Sequence, residues 1–225
     1  MTYLALKNLI ADEKNFDKLI RVLEKEGADY LERYWVNYIL DDALSRTYKK
    51  MELYREDQQI AFSISGPAAS VAAFAGNIRL LDYFIQKGFV YDEATDYDAG
   101  NKDFYFDSFT PNIIFYWLTE TPDTYYLSKE HFFDLPPIAF TLPGGKLECF
   151  QLLMETGHKC DFRNMKNFKL LSMCRNKDFW EYLIDSKLLD PCLLLTAADY
   201  ACHYRNKETA SWLIRRYDLL QDYLL

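Results

Sequence analysis

The sequence predicts an all-α protein, a solenoid of about six to seven helix-turn-helix units. The interval from Gly76 to Gly88 recurs unchanged as Gly145 to Gly157, and each pair of glycines encloses a helical pattern. Apolar residues between the glycines follow the i, i+3, i+4 spacing of a helix that is buried on one face. Extended patterns are few. Because one helix pair cannot bury its own apolar face, the repetition indicates stacked units.

Asparagine takes the place of the turn glycine in further copies of this unit. Asn15, Asn176 and Asn206 begin segments of the same form, and glycine and asparagine are the residues that adopt a left-handed backbone most easily. The interval from Gly145 to Asn176 is one residue longer than the interval from Asn176 to Asn206, so the spacing is nearly constant. The apolar residues four positions after the five turn residues are Leu19, Leu80, Cys149, Trp180 and Ala210.

Two longer intervals predict two divergent units. They run from Asn15 to Gly76 and from Gly76 to Gly145, and each is close to twice the unit length. The divergent units would lie near 31–60 and 93–134. In the second we expect Pro111–Leu118 and Pro122–Phe133 as its helices, since proline is tolerated at a helix start. Units of roughly 32 residues then fill the chain as a single repeat domain, 1–225.

The paired alanines Ala72 and Ala73, the turn glycine Gly76 and the helix up to Gly88 resemble the ankyrin-repeat family. The segment Gly27-Ala28-Asp29 is similar to the end of an ankyrin unit. The resemblance implies an array of stacked helix pairs whose projecting loops contact partner proteins. It favours binding over catalysis.

Composition narrows the choice of partner and compartment. The formal net charge of −8 repels phosphate backbones and anionic lipids and attracts basic proteins. We therefore expect a basic protein partner, no nucleic acid, no membrane and a monomer. Five scattered cysteines suit a reducing compartment with mostly buried free thiols. With no secretory leader and no apolar run long enough to span a bilayer, we expect a cytoplasmic protein, although a leaderless secreted effector would have the same features.

The segment 91–107 is the predicted partner-binding surface. It contains six acidic residues, one lysine and five interleaved aromatic residues. Tyrosine is enriched at interface hot spots, and carboxylates around it would select a basic partner. The alternative is a solvated connecting loop whose aromatic side chains pack back onto the array. The predicted binding residues are Tyr91, Asp92, Glu93, Asp96, Tyr97, Asp98, Asp103, Tyr105 and Asp107.

Sequence signatures of catalysis and metal binding are missing. Gly144-Gly145-Lys146 lacks the remainder of a phosphate-binding loop, and the cysteines do not form the pairs of a zinc site. Asp96 and Asp98 lack the glycine position and third ligand of a calcium loop. Cys202 beside His203 is read as a core thiol with a surface imidazole. We expect no enzyme activity, no metal and no cofactor, with Trp180 in the core, Trp212 at its edge and His131 on a helix surface.

Three functional hypotheses remain open. The first is a non-catalytic protein-binding scaffold, in its narrower form a neutraliser of a basic toxin or enzyme, similar to ankyrin-type immunity or antitoxin proteins. The second is a host-directed effector or adaptor that binds a eukaryotic-type partner. The third is a cryptic enzyme in the divergent segments.

Overall fold

The computed structural model describes residues 13–26, 35–39, 61–88, 90, 112–121 and 124–224. Its N-terminal half combines helices and strands. A 3-10 turn, Glu13–Asn15, leads into α1 (Phe16–Glu26), and the elements that follow are β1 (Trp35–Ile39), β2 (Ala61–Pro67), α2 (Ala68–Ala75) and α3 (Ile78–Gln86).

A long hairpin and three further units complete the described chain. The hairpin strands are β3 (Asn112–Thr121) and β4 (Thr124–Phe133). After it come the 3-10 helix Pro137–Thr141 with α4 (Leu147–Glu155), then α5 (Met165–Ser172) with α6 (Lys177–Asp185). The last unit is the 3-10 turn Pro191–Leu193, α7 (Leu194–His203) and α8 (Lys207–Leu224).

The four strands form one antiparallel sheet in the order β1-β2-β3-β4, so the predicted all-α class is wrong. Burial alternates along β3, where Ile113 and Phe115 are fully buried while Ile114 and Tyr116 are partly exposed. This period of two is the pattern of a strand with one face against a core. β-branched and aromatic residues favour such a surface.

Both long intervals contain strands where divergent helical units were expected. The described residues of Pro111–Leu118 and Pro122–Phe133 fall on β3 and β4, not on helices. Within 31–60 the described residues form β1, and the others lie outside the described residues. The prediction of six to seven helix pairs is therefore wrong: the described chain holds four pairs, with α1 beside the first of them.

The four pairs are called the first unit (68–86), the second unit (137–155), the third unit (165–185) and the fourth unit (194–224). The first and second units are direct neighbours, since a Cβ added at Gly76 would lie 2.9 Å from Cδ of Lys146. A Cβ at Gly145 would lie 2.5 Å from Cβ of Asn176, which brings the turns of the second and third units equally close. The hairpin is thus an insertion between two units that remain stacked.

Asparagines at the turns join the third unit to the second and the fourth unit to the third. Nδ2 of Asn176 donates to the carbonyl of Gly145 at 2.9 Å, and Nδ2 of Asn206 donates to the carbonyl of Cys174 at 3.1 Å. The Asn176 side chain also accepts a hydrogen bond from the backbone of Asp178 and so caps α6. We call these contacts the asparagine ladder.

For Asn176 and Asn206, the alignment with the turn glycines is wrong by one residue. Gly76 and Gly145 have positive φ, as does Arg205, which precedes Asn206. Asn176 is the N-cap of α6, as Lys146 is of α4, so Arg175 takes the place of Gly145, although its own φ is not positive. The structural period runs from Gly145 through Arg175 to Arg205 in two equal intervals. Lys187, twelve residues after Arg175, has a φ of 58° and takes the place of the second glycine.

The predicted apolar stripe forms the core of the stack. All five residues of the stripe are at most 2% exposed, which confirms this part of the prediction, including the burial of Trp180. The partly buried Trp212 lies at the edge of the core, as expected. Leu19 of α1 belongs to the same core, and Arg79 lies over the ring of Phe16 at 4.3 Å. The core is therefore shared by α1, the sheet and the four units.

Candidate functional site

The hairpin folds back over the first helices of the third and fourth units. Nζ of Lys166 on α5 donates to the carbonyl of Phe133, at the end of β4, at 2.8 Å. Farther along the hairpin, the rings of Phe115 and Trp117 meet the ring of Tyr204 edge-on, with centroids 5.5 and 5.8 Å away. The hairpin is inserted between the first and second units, but its strands contact the third and fourth units.

Glu130 on β4 bridges both of those units. One carboxylate oxygen accepts from Nζ of Lys169 at 2.6 Å, and the other accepts from the hydroxyl of Tyr204 at 2.5 Å. The side chains of Lys169 and Glu130 are only 28% and 23% exposed, which limits screening of the pair by solvent. These three side chains are called the Glu130 bridge.

Tyr204 is the most deeply buried member of the bridge, at 1% exposure. Burial raises the pKa of its hydroxyl well above the ordinary value, and the hydrogen bond to Glu130 raises this pKa further. A tyrosine held so firmly in its neutral form is a poor proton donor at neutral pH. We therefore interpret the Glu130 bridge as an anchor that holds the hairpin against the stack. The Glu130 carboxylate accepts hydrogen bonds from both Lys169 and Tyr204, so all three polar groups have partners.

A groove of about 620 Å³ opens beside the Glu130 bridge, between the hairpin and helices α5 and α7. Aromatic rings provide much of its wall: Trp117 and His203 are 5.5 Å apart, and Tyr200 is stacked on Tyr204 at 6.3 Å. The residues that line it are Trp117, Lys129, Glu130, Lys169, Asp199, Tyr200, Cys202, His203 and Tyr204.

The charges of the groove differ between its wall and its rim. In the wall, Lys169 is paired with Glu130, and its Nζ also lies 5.6 Å from the centre of the Tyr200 ring. At the rim, Asp199 on α7 and Lys129 on β4 are exposed. The groove therefore combines aromatic surface and a partly buried ion pair with one carboxylate and one ammonium group at an exposed rim.

The cysteines divide into buried and exposed thiols. Burial raises the pKa of Cys149 and Cys174 to about 12, as expected for core thiols. Cys192 and Cys202 are exposed, so the expectation of buried thiols is wrong for these two. Cys202 and His203 both line the groove. No set of three potential metal ligands occurs among the described residues.

The nine residues predicted to bind a partner lie outside the described residues. They are Tyr91, Asp92, Glu93, Asp96, Tyr97, Asp98, Asp103, Tyr105 and Asp107. The described chain on either side ends at Val90, after α3, and resumes at Asn112, where β3 begins. His131, expected on a helix, is an exposed residue of β4.

Neither the groove nor the Glu130 bridge was predicted from the sequence. The run of β-branched and aromatic residues from Ile113 to Trp117 is a strand signal that would have pointed to β3. No sequence signal pairs Glu130 with Lys169 and Tyr204, which are 39 and 74 residues away.

Comparisons with known proteins leave the family of the chain open. No protein-family model matches the sequence. No curated protein and no solved structure matches it either. In the part of the chain that the structure describes, every helix is too short or too polar to cross a bilayer.

Proposed function

We propose that this protein is a non-catalytic binding scaffold that holds a basic protein partner through the acidic, tyrosine-rich segment 91–107. The observation that supports the proposal is the concentration of charge. The segment has six acidic residues and one lysine, so it accounts for five of the eight net negative charges of the chain.

The described elements on both sides of this segment supply a firm frame. On one side α3 buries Leu80, Leu81 and Phe84, each at most 1% exposed. On the other side β3 is paired with both β2 and β4. A segment that is held at both ends loses less conformational freedom on binding than a free tail does, which favours affinity.

Charge and aromatic surface have separate roles in this proposal. The carboxylates steer a basic partner to the segment and make the association rate sensitive to salt. Tyr91, Tyr97 and Tyr105 supply contact area at low entropic cost once the partner has docked. In its narrower form, the proposal is that the scaffold neutralises a basic toxin or enzyme by covering it.

The test is affinity capture from the native cell with the full chain as bait. We expect a stoichiometric basic protein that is released at high salt, since screening weakens contacts between exposed charges. The variant Asp96→Asn, Asp98→Asn, Asp103→Asn should lose this protein. The matched control is Glu155→Gln, Asp178→Asn, Asp218→Asn, which removes three exposed carboxylates of the stack and should retain it.

Two results would contradict the proposal. One is a partner that is not basic. The other is equal loss of the partner with both triple variants, which would mean that overall charge, rather than segment 91–107, governs binding.

A further inference from the structure

The last helix of the described stack, α8, has one side packed against the core and one side exposed. It has 18 residues, whereas the equivalent second helices of the other units, α3, α4 and α6, have 9 each. Ala210 and Leu213 are buried on its inner side. At about 100° per residue, the exposed residues gather on the opposite side, which we call the outer face of α8. They are Lys207, Glu208, Ser211, Ile214, Arg215, Asp218 and Leu219.

Two charged residues of α8 tie the helix to its neighbour in the stack. Glu208 pairs with Lys177 of α6 at 2.6 Å, and Arg216 pairs with Glu181 of α6 at 2.9 Å. These charges are therefore already engaged within the chain.

Arg215 and Asp218 on the outer face differ from that pattern. Among the described residues neither has an ion-pair partner, and Nε of Arg215 donates to the backbone carbonyl of Ser211 at 3.2 Å. The two residues have opposite charges and stand three positions apart. Within one helix, a basic residue that precedes an acidic one is in the less favourable order for pairing. The outer face thus presents one charge of each sign.

We propose that the outer face of α8 binds the same face of a second copy of the chain, as an antiparallel pair of helices related by a two-fold axis. With the axis midway between Arg215 and Asp218, Arg215 of each copy lies level with Asp218 of the partner subunit, so two ion pairs form. A face with both signs at symmetric positions is complementary to itself when reversed. A purely basic or purely acidic partner would match one of the two charges and repel the other.

Apolar side chains support the same pairing. Ile214 and Leu219 are 44% and 53% exposed and lie at the two edges of the outer face. In the antiparallel pair they flank the ion pairs, lose apolar surface to the partner and reduce the contact of the charges with water, which strengthens their attraction.

The expected dimer is weak. A single pair of helices buries less than the roughly 800 Å² per partner of a standard interface, so we expect association in the micromolar range. This proposal replaces the monomer expected from the sequence. It does not depend on the proposed function, because the outer face of α8 lies outside segment 91–107.

Sedimentation equilibrium of the full chain at rising protein concentration tests the proposal. We expect a reversible monomer–dimer equilibrium. Arg215→Glu turns both attractive pairs into repulsive ones and should raise the dissociation constant about thirtyfold, and Asp218→Arg should do the same. The matched control is Lys159→Glu, which changes the net charge by the same amount as Arg215→Glu at an exposed position outside α8. It should leave the dissociation constant unchanged.

The decisive measurement mixes the two variants. The Arg215→Glu chain carries two acidic residues at the paired positions, and the Asp218→Arg chain carries two basic ones. Each should be monomeric alone, but the mixture should form a heterodimer about as tight as the wild-type dimer, since both ion pairs are restored across the two-fold axis. Loss of folding in either variant cannot produce this result.

Three results would overturn the proposal. They are a wild-type chain that stays monomeric at every concentration, a dimer that Arg215→Glu and Asp218→Arg do not weaken, and a mixture of the two variants that stays monomeric.

The triple variants separate this proposal from the proposed function. Asp96→Asn, Asp98→Asn, Asp103→Asn should lose the basic partner and keep the dimer. Glu155→Gln, Asp178→Asn, Asp218→Asn should keep the basic partner and weaken the dimer. A dimer lost in the first variant and kept in the second would place self-association in segment 91–107 and overturn the assignment to α8.

Discussion

The third and fourth units and the inserted sheet differ in how they contact the rest of the stack. The units repeat at a constant interval, and each turn meets the next through the asparagine ladder. The sheet occupies the two long intervals, before and after Gly76, and contacts the units through side chains that do not repeat, both apolar ones such as Phe115 and polar ones such as Glu130. Regular spacing therefore indicates direct stacking, whereas a doubled interval here indicates an insertion.

The two regions should also differ in how well they tolerate mutation. The turn of the second unit lies directly against the third unit, so one added carbon atom at Gly145 meets the side chains of Asn176 and Cys174. A polar residue of the hairpin such as Glu130 meets the stack through a long side chain, and its loss leaves partners that can partly rearrange. Mutations at the turns should therefore have the larger effect.

The largest effect is expected at Gly145. Its φ is 58°, and an added Cβ would lie 2.5 Å from Cβ of Asn176 and 2.7 Å from Sγ of Cys174. Gly145→Ala combines a left-handed backbone with overpacking, so we expect a loss of about 3–4 kcal/mol in the free energy of unfolding. Urea denaturation followed by circular dichroism measures this loss.

Gly88→Ala is the control for that prediction. Gly88 has a φ of 73°, and nothing lies within 4 Å of the position of an added Cβ. We expect only the backbone cost of about 1–2 kcal/mol. Equal losses in the two variants would mean that the second and third units do not touch at their turns.

The Glu130 bridge should contribute less than Gly145. Glu130→Ala leaves the half-buried Lys169 without its carboxylate and the buried Tyr204 hydroxyl without its acceptor, so we expect a loss of about 2–3 kcal/mol. Lys129→Ala, next to it and exposed, should change stability by at most about 0.5 kcal/mol. Urea midpoints provide the comparison. If Glu130→Ala behaves like Lys129→Ala, the hairpin is not anchored through this carboxylate.

Loss of a hydrogen bond of the asparagine ladder is expected to have the next largest effect on stability. Asn206 is 4% exposed and donates to the carbonyl of Cys174, so Asn206→Ala should cost about 2 kcal/mol by removing a buried hydrogen bond. Asn164→Ala removes an exposed cap of α5 and should cost about 1 kcal/mol. Thermal unfolding of both variants tests the order. A larger cost at Asn164 would show that the ladder does not stabilise the stack.

Stability should also depend on alkaline pH. Burial raises the pKa of Cys149, Cys160 and Cys174 from 9.0 to about 12. Because the folded state holds these protons more tightly, their contribution is complete below pH 9 and is lost as the pH rises towards 12. The loss should approach about 1.4 kcal/mol per pH unit for each thiol.

Urea midpoints at pH 8 and pH 10 measure this slope. Cys160→Ala should reduce it, whereas Cys202→Ala, at an exposed position of the groove, should leave it unchanged. A midpoint that does not fall between the two pH values would contradict the assignment of buried thiols.

The sequence predicted the stack well and the sheet poorly, for a physical reason. Helical periodicity and turn glycines are local signals, so Leu80, Cys149 and Trp180 were placed in the core correctly. The strands of residues 112–133 were missed because the interval from Gly76 to Gly145 was divided by the helical period, although β-branched and aromatic residues, which favour strands, fill the start of β3. The groove depends on Glu130 meeting Tyr204, a contact between distant segments that a single sequence does not encode locally.

The most direct test of the inserted sheet is a nuclear Overhauser experiment on residues 112–133. We expect cross-strand contacts for the pairs of β3 and β4, such as Phe115 with Glu130 and Trp117 with Ser128. Sequential helical contacts between residues three apart through 112–133, without cross-strand contacts, would contradict it. They would restore a helical unit between Gly76 and Gly145.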